Sequence, residues 1–232
     1  MIRKIVSIAA IILFAFMIIP LIIQITPFSE LSSTAKQYVE KAPHETGAAN
    51  IVSSILVTYR GLDTLGEVTV LFIATAGVGF LLRKQKSESG SNSAKQTRAS
   101  EILKTGSRVL LPVILLFGVY IFLHGHLTPG GGFQGGVVIA SGMVLLLLSQ
   151  TSQKLNHTIM NVLESFSGFI YVLIGVAGIY FAAGFLDNKI LPVGNIGALL
   201  SAGAIPVIYM LIGLKVGTEL TSIANSLKQD KE

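Results

Sequence analysis

The 232-residue sequence contains no cysteine, and this absence excludes several kinds of site. Disulfides, thiolate metal sites and cysteine-bound iron–sulfur clusters all require that residue. Tryptophan is absent as well, and charged residues make up only 12% of the chain. The sequence has no Ser-His-Asp arrangement, no HExxH motif and no nucleotide-binding fingerprint. We therefore expect neither an independent active site nor a bound redox centre or other cofactor in this chain.

Long apolar runs are what the sequence has instead. The mean hydropathy is +0.71, and 51% of the residues are hydrophobic. A helix needs about 20 apolar residues to cross the hydrocarbon core of a bilayer, and several runs approach that length without a polar face. The pattern predicts an all-α, multispanning membrane bundle of six transmembrane helices. We place these spans at residues 5–25, 62–82, 109–123, 133–148, 162–185 and 196–214.

The first two spans need separate arguments. Arg3 and Lys4 precede the first run as in a signal peptide, but the run is too long for one, so we interpret it as an uncleaved anchor. The apolar stretch at residues 48–82 would make a helix of about 52 Å, which is too long for one crossing. We therefore expect a break near Gly61, with a short interfacial helix at residues 48–59.

The distribution of Lys and Arg predicts the orientation, because these residues collect in cytoplasmic loops. Two precede the first span, seven lie within residues 83–108, one is Lys154, and three follow the sixth span. The loops on the other side hold three, and Arg60 lies in or near a span. We predict that both termini are cytoplasmic. The same bias accounts for the net charge of +5 without a nucleic-acid partner.

A polar, basic segment divides the chain into two predicted modules. Residues 83–108 carry the seven Lys and Arg residues, with Ser, Asn and Gln between them. The middle of the segment has few apolar residues, which is typical of a linker. We predict a two-span module at residues 1–86, a cytoplasmic linker at 87–106 and a four-span module at 107–232.

An acidic segment at the start of the second span is the first candidate for chemistry. Asp63 and Glu67 are four residues apart, so a helix places both carboxylates on one face, and Arg60 shares it if the helix reaches back that far. Ionised carboxylates cost about 2.5–3.5 kcal/mol each at the centre of a span. We interpret the three as ion-path candidates, with Glu67 the best. The alternative is an Arg60–Asp63 pair that orders the membrane rim.

A glycine-rich segment between the third and fourth spans is the second candidate. Proline and consecutive glycines cannot continue an ordinary helix, so the backbone must turn or unwind there. One interpretation is a tight interface that lets another backbone approach closely; the other is a water-lined entrance with proton-carrying side chains. A metal site is not expected, because no cysteine or acid is near. The candidates are His124, His126, Pro129, Gly130, Gly131, Gly132, Gln134, Gly135 and Gly136.

Three further charged residues have ordinary interpretations. Glu164 lies at the head of the fifth predicted span, where a solvated or helix N-terminal carboxylate is expected. Lys215 and Glu219 follow the sixth predicted span and are four residues apart. That spacing is typical of a cytoplasmic helix end, so we expect no functional site there.

The glycine-rich segment, HGHLTPGGGFQGG at residues 124–136, closely resembles the signature of the B-type chain of Mrp multisubunit Na+/H+ antiporters. The tail around GLKVG at residues 213–217 is similar to that family too. The earlier YRGLDTLGEVTVLF segment at residues 59–72 resembles the end of the large A-type Mrp chain. It also resembles a separate small membrane subunit of complex I-related hydrogenases and sulfane reductases. The order of the segments resembles a fusion of two neighbouring subunits.

This resemblance implies a transport subunit rather than an enzyme. The expected protein is a multi-pass subunit in a prokaryotic cytoplasmic membrane, within a module that exchanges Na+ for H+. By this similarity, Asp63 and Glu67 match acidic positions of the family. The implied partners are other antiporter subunits, together with hydrogenase-like or sulfane-reductase redox subunits if the complex is a redox pump. The alternatives are a standalone Mrp antiporter, a structural subunit that seals the complex with lipid, and a self-contained carrier.

Overall fold

The computed structural model describes residues 2–24, 31–88, 99–150 and 156–230, and the regular elements in these ranges are helical. The main helices are α1 (Ile2–Gln24), α2 (Ser33–Thr46), α3 (Ile51–Ser54), α4 (Gly61–Glu88), α5 (Glu101–Leu123), α6 (Gly132–Ser149), α7 (His157–Phe181) and α8 (Ile205–Asp230). A π-helical turn, Ile55–Tyr59, joins α3 to α4, and a 3₁₀ turn, Asn188–Ile190, lies between α7 and α8. Residues 1–37 form one compact unit and residues 38–232 a second.

Five of the described helices are long and apolar enough to cross a bilayer. These candidate spans are Gly61–Leu82, Glu101–Leu123, Gly132–Ser149, Thr158–Phe181 and Ile205–Lys228. A shorter apolar helical stretch, Val6–Pro20, lies within α1 where the first span is predicted. The prediction of an all-α, multispanning membrane bundle is confirmed. The orientation of the termini stays a prediction.

Helix α8 is the centre of the larger unit. It packs against α4, α5, α6 and α7, and 56% of its most apolar 18-residue stretch is buried. In the other four candidate spans, 11–39% of the most apolar stretch is buried, so their outer faces are exposed among the described residues. The core around α8 includes Ile205, Ile208, Ile212 and Val216 on successive turns. Such a helix is surrounded by protein, so it can carry side chains that lipid would not accommodate.

The predicted ends of the last two spans are wrong. Helix α7 ends at Phe181 rather than at residue 185, and α8 begins at Ile205 rather than at residue 196. The backbone just before α8 has positive φ at Ala202 (67°) and Gly203 (58°), which a right-handed helix cannot contain. Pro206 then stands in the first turn of α8, where its missing N–H costs nothing. Hydropathy alone could not separate this apolar loop from the helix.

The loop before α8 is held by one buried amide. The side-chain nitrogen of Asn188 donates to the carbonyl oxygens of Thr46 (2.7 Å) and Ala202 (3.0 Å). The backbone oxygen of Asn188 accepts from the N–H of Ala204 at 2.9 Å. These bonds tie the end of α2 to the start of α8. Buried backbone groups without a helix partner need such bonds, so Asn188 replaces the regular structure that this loop lacks.

The break predicted near Gly61 is confirmed, and the predicted linker is only partly outside helices. Arg60 separates the π-helical turn from α4, and the Thr64 hydroxyl donates to the Leu56 carbonyl across this junction at 2.7 Å. Helix α4 continues to Glu88, while α5 begins at Glu101 behind an N-cap at Ser100. Residues 89–98 lie outside the described residues. The division of the chain into modules at 87–106 stays a prediction.

Candidate functional site

The acidic segment at the start of α4 lies on the surface of the isolated chain. Arg60 and Asp63 form an ion pair, with side chains that are 61% and 46% exposed. Glu67 follows one turn later and is also exposed, about 9 Å along the helix from Gly61. Helix α4 packs mainly on α8, and the acidic face is exposed among the residues that the structure describes. The structure thus contains the predicted Arg60–Asp63 pair, and Glu67 faces outward.

The glycine-rich segment separates α5 from α6 and brings three helices close together. A Cβ added at Gly132 would lie 2.6 Å from Cβ of Ile212, and one at Gly136 would lie 2.8 Å from the Gly213 oxygen, both on α8. A Cβ at Gly135 would lie 2.6 Å from the Gly118 oxygen of α5. Only glycine permits such contacts between backbones. The close approach predicted for these glycines therefore occurs within the chain itself.

Hydrogen bonds from α3 fasten the turn of the glycine-rich segment. The Asn50 side-chain nitrogen donates to the carbonyls of Gly125 (2.8 Å) and Thr128 (3.0 Å). The Ser53 hydroxyl donates to the Gly125 carbonyl at 2.5 Å, and the Asn50 N–H donates to the His126 carbonyl at 3.0 Å. These contacts satisfy backbone carbonyls of the turn that follows α5, where no helix supplies partners.

The remaining candidates of this segment differ in exposure. Pro129 and Gln134 are exposed, Gly130 is half-buried, and Gly131 is buried against Tyr209. An exposed Gln134 at the first turn of α6 fits a surface that faces water or a partner. The water-lined entrance therefore stays a prediction, and Gln134 is its only exposed polar candidate in this segment.

The two histidines of the segment have different environments. The ring of His124 stacks on Tyr120 at 4.2 Å, and its Nδ1 lies 3.1 Å from the Tyr120 carbonyl oxygen. His126 is fully buried, with Nε2 at 3.4 Å from the Ala198 carbonyl oxygen. Burial lowers the pKa of His126 from its ordinary value, although the Ala198 carbonyl opposes this. Among the described residues, no three His, Cys, Asp or Glu side chains are grouped to hold a metal.

An ion pair lies in the middle of α8, where the sequence predicts none. Lys215 Nζ and Glu219 Oε1 are 2.8 Å apart, and the side chains are 10% and 0% exposed. Lys215 is about 15 Å from the start of a span about 36 Å long. The prediction that these two residues close a cytoplasmic helix end is wrong, because the helix begins nine residues later than expected. Ionisable residues at this depth are a strong sign of function.

Neighbouring helices complete the surroundings of this pair. Lys215 Nζ lies 4.9 Å from the centre of the Phe72 ring of α4, a cation–π distance. A Cβ at Gly168 of α7 would lie 3.4 Å from the same nitrogen. One turn before Gly168, Glu164 is half-buried inside α7, and its charge acts on both Lys215 and Glu219. Glu164 thus lies about two turns inside α7 rather than at its N-terminus, on the face that approaches Lys215.

Two known families match the chain one after the other. The family described as the domain related to the MnhB subunit of Na+/H+ antiporter matches residues 102–222, just over half of the chain. The chain belongs to this MnhB-related family. A second family, MbhE, described as the E-type subunit of MBH, matches residues 3–99. The resemblance predicted from the glycine-rich and acidic segments is confirmed.

Relatives of this MnhB-related chain include antiporter subunits. The B-type subunit of the Na(+)/H(+) antiporter of Bacillus subtilis is 40% identical over 38% of this chain and 63% of its own length. The probable K(+)/H(+) antiporter A/B chain of Rhizobium meliloti is 32% identical over 50% of this chain but only 14% of that protein. An uncharacterized protein of Methanocaldococcus jannaschii is 28% identical over 78% of both chains.

Two solved membrane complexes contain chains of similar fold. One is the membrane-bound sulfane sulfur reductase, an archaeal respiratory membrane complex, with 39% identity, a TM-score of 0.78 and 98% of both chains covered. The other is the Mrp complex from Dietzia sp. DQ12-45-1b, with 25% identity and a TM-score of 0.77. The MnhB-related chain is matched there over 97% of its length but spans only 26% of the Dietzia chain.

Proposed function

We propose that this protein is a membrane subunit of a cation/proton antiport module inside a redox-driven, complex I-related membrane complex. The observation that carries the proposal is the end-to-end match with a chain of the sulfane sulfur reductase. That match covers 98% of both chains, whereas the chain spans only 26% of its Dietzia Mrp counterpart. The arrangement of an MbhE-like segment before an MnhB-like segment therefore occurs as one polypeptide of the same extent in a respiratory complex.

Within this function, Glu67 is the ion-path residue that we favour. It lies on an exposed face of α4 with Asp63, inside a candidate span. An ionised carboxylate facing acyl chains costs about 2.5–3.5 kcal/mol even on the mildest scales. We infer that a neighbouring subunit covers this face and that Glu67 passes H+ or Na+ along the interface. Arg60, paired with Asp63, would hold the acidic face in place at the membrane rim.

A standalone Mrp antiporter is the second candidate function. The match with the Dietzia Mrp complex and the identity with the Bacillus antiporter chain favour it. A structural subunit that only seals the assembly is the third, because most of the outer surface of the bundle is apolar. The two antiport functions share the same ions, Na+ and H+, and differ in the source of energy and in the partners.

Identification of the partners tests the proposal. The complex would be purified in mild detergent through an affinity tag on this chain, and its subunits identified by mass spectrometry. We expect antiporter-type membrane subunits together with soluble iron–sulfur subunits. Recovery of antiporter subunits alone would favour the standalone function instead. Recovery of the chain by itself, under conditions that keep other membrane complexes intact, would contradict both.

A further inference from the structure

Three ionisable side chains of α7 and α8 form an ionic cluster that contains more negative than positive charge. It consists of Glu164 on α7 and of Lys215 and Glu219 on α8. If all three side chains are ionised, the cluster carries one uncompensated negative charge. A buried pair is tolerable because the partners neutralise one another, but an extra charge in a low-dielectric region is strongly unfavourable. The cluster therefore needs one more positive charge.

The helices around the cluster do not supply that charge. Helix α6 contains no ionisable side chain. The ionisable side chains of α5 are those in its first turns (Glu101, Lys104 and Arg108) and Tyr120 near its end. Helix α4 has its charged residues at the two ends, with Asp63 and Glu67 on one side and Arg83 beginning the other. The side chain of α4 that contacts Lys215 is the uncharged ring of Phe72.

A proton fits the cluster better than a metal cation. A hard cation is held by several oxygen ligands, but at Glu219 it would lie beside the Lys215 ammonium, which is 2.8 Å from Oε1 and would repel it. A proton instead neutralises a carboxylate without adding a second cation beside the ammonium. Apolar Phe72 and the Gly168 backbone occupy other sides of Lys215. Two carboxylates at one site favour the sharing of a single proton.

We propose that Glu164, Lys215 and Glu219 form a proton-binding site within the membrane, where the two carboxylates share one exchangeable proton beside the lysine ammonium. Glu219 is the inner member, fully buried and fixed by Lys215 at 2.8 Å. Glu164 is half-buried, so it is the member through which the proton enters or leaves. This site is separate from the outer acidic face of α4. A role of this site in transport rests on the proposed function, whereas the binding of a proton by the two carboxylates does not.

Infrared spectroscopy of the purified complex at neutral pH tests this proposal. A protonated carboxyl group absorbs apart from the amide and carboxylate bands, and its band shifts in D2O. We expect the wild-type complex to show a band with the intensity of one protonated carboxyl group. This band should be absent from the Glu164→Gln and Glu219→Gln variants. Each variant leaves one carboxylate to neutralise Lys215, so no proton is needed. Glu40→Gln, which changes an exposed carboxylate of α2, should leave the band unchanged.

Lys215→Met gives the opposite expectation, because two carboxylates then lack the ammonium and the band should grow. A wild-type complex without the band, or a band of unchanged size in both glutamine variants, would overturn the proposal. If one glutamine variant fails to assemble, the other decides, since either alone must remove the band. The band can be present in a complex that exchanges no Na+. The spectrum therefore tests the proton-binding site, and the ion-exchange measurement tests the proposed function independently.

Discussion

Two ion pairs, one between residues three apart and one between residues four apart, contribute very differently to stability at the scale of single residues. Arg60 and Asp63 are exposed, and pairs of this kind contribute roughly 0–1 kcal/mol. Lys215 and Glu219 are buried, and removal of one partner from such a pair costs about 3–5 kcal/mol, because the other charge is left unpaired. Sequence spacing alone cannot distinguish them, since burial decides the difference.

This contrast gives a prediction for stability. Lys215→Met should lower the thermal stability of the complex markedly, by the equivalent of about 3–5 kcal/mol, because two carboxylates lose their counter-ion. Arg60→Met, the matched change in the exposed pair, should cost no more than about 1 kcal/mol. The double variant Lys215→Met with Glu219→Gln should recover part of the loss. Equal losses in the two single variants, measured by thermal unfolding in detergent, would show that burial does not separate the pairs.

His126 gives a pH dependence at the same scale. Burial holds its pKa below the ordinary value of about 6.5. The unfolded chain therefore binds the proton first as the pH falls, so stability is fully present above about 6.5 and is lost as the pH falls towards the folded-state pKa. The facing groups are the backbone of Ala198, Leu199 and Leu123, which raises the pKa, and His124, which lowers it.

Amide hydrogen exchange measures this effect locally. After correction for the intrinsic pH dependence, amides of residues 124–131 and 195–204 should lose protection in the wild type at mildly acidic pH. The same segments in His126→Gln should show little change over that range, because glutamine does not titrate. Equal pH dependence in the two proteins would rule out His126 as the cause.

At the scale of helices, the sequence predicts most of the bundle but not its central member. Charged or glycine-rich segments mark the ends of α4 and α6, so these two spans are predicted to within one residue. The end of α5 at Leu123 is predicted as well, but α5 begins at Glu101, eight residues before the predicted start of its span. The loop at residues 191–204 carries no charge and is largely apolar despite its three glycines, so hydropathy does not separate it from the start of α8. Pro206, together with the four-residue spacing of Lys215 and Glu219, was the signal that could have revealed it. A buried helix can contain charged residues that a hydropathy profile would place outside the membrane. The ends of such a helix therefore cannot be predicted from hydropathy alone.

The contact between α6 and α8 gives a prediction for one glycine. Gly132→Ala should destabilise the protein by about 1–3 kcal/mol, because the new Cβ lies 2.6 Å from Ile212 Cβ and forces the helices apart. Gly106→Ala in α5 is the matched control, since no atom lies within 4 Å of its added Cβ. That control should be neutral or slightly stabilising. A comparison of unfolding temperatures checks both, and equal stability of the variants would show that α6 and α8 are not in close contact.

At the scale of the whole molecule, the polar connections gather at two opposite ends. The end of α2, the turn of the glycine-rich segment and the loop before α8 are joined by Asn50, His126 and Asn188. At the other end, Lys228 Nζ donates to the Gln150 carbonyl at 3.1 Å. Helices that alternate in direction produce this arrangement, in which the first end is predicted to face the outside and the second the cytoplasm.

The cysteine-free sequence allows a direct check of this orientation. Leu200→Cys lies in the loop before α8 at a side chain that is 88% exposed, so a membrane-impermeant maleimide should label it in intact cells. Ser89→Cys in the predicted cytoplasmic linker should react only after the membrane is opened. Ile208→Cys, at a fully buried position of α8, should stay unlabelled in both cases. Labelling of position 89 but not of position 200 in intact cells would reverse the predicted orientation.

The central claim, that this chain belongs to a module that exchanges cations for protons, is tested most directly by ion exchange in the purified complex. The complex would be reconstituted into vesicles with a pH-sensitive dye inside, and a Na+ gradient applied. We expect the wild type and Glu40→Gln to couple Na+ movement to an opposite pH change. Glu67→Gln should slow that change about tenfold or more, roughly 1.4 kcal/mol in the barrier, while the complex stays assembled. No Na+-dependent pH change in the wild type would contradict the account, and an unchanged rate in Glu67→Gln would remove Glu67 from the ion path.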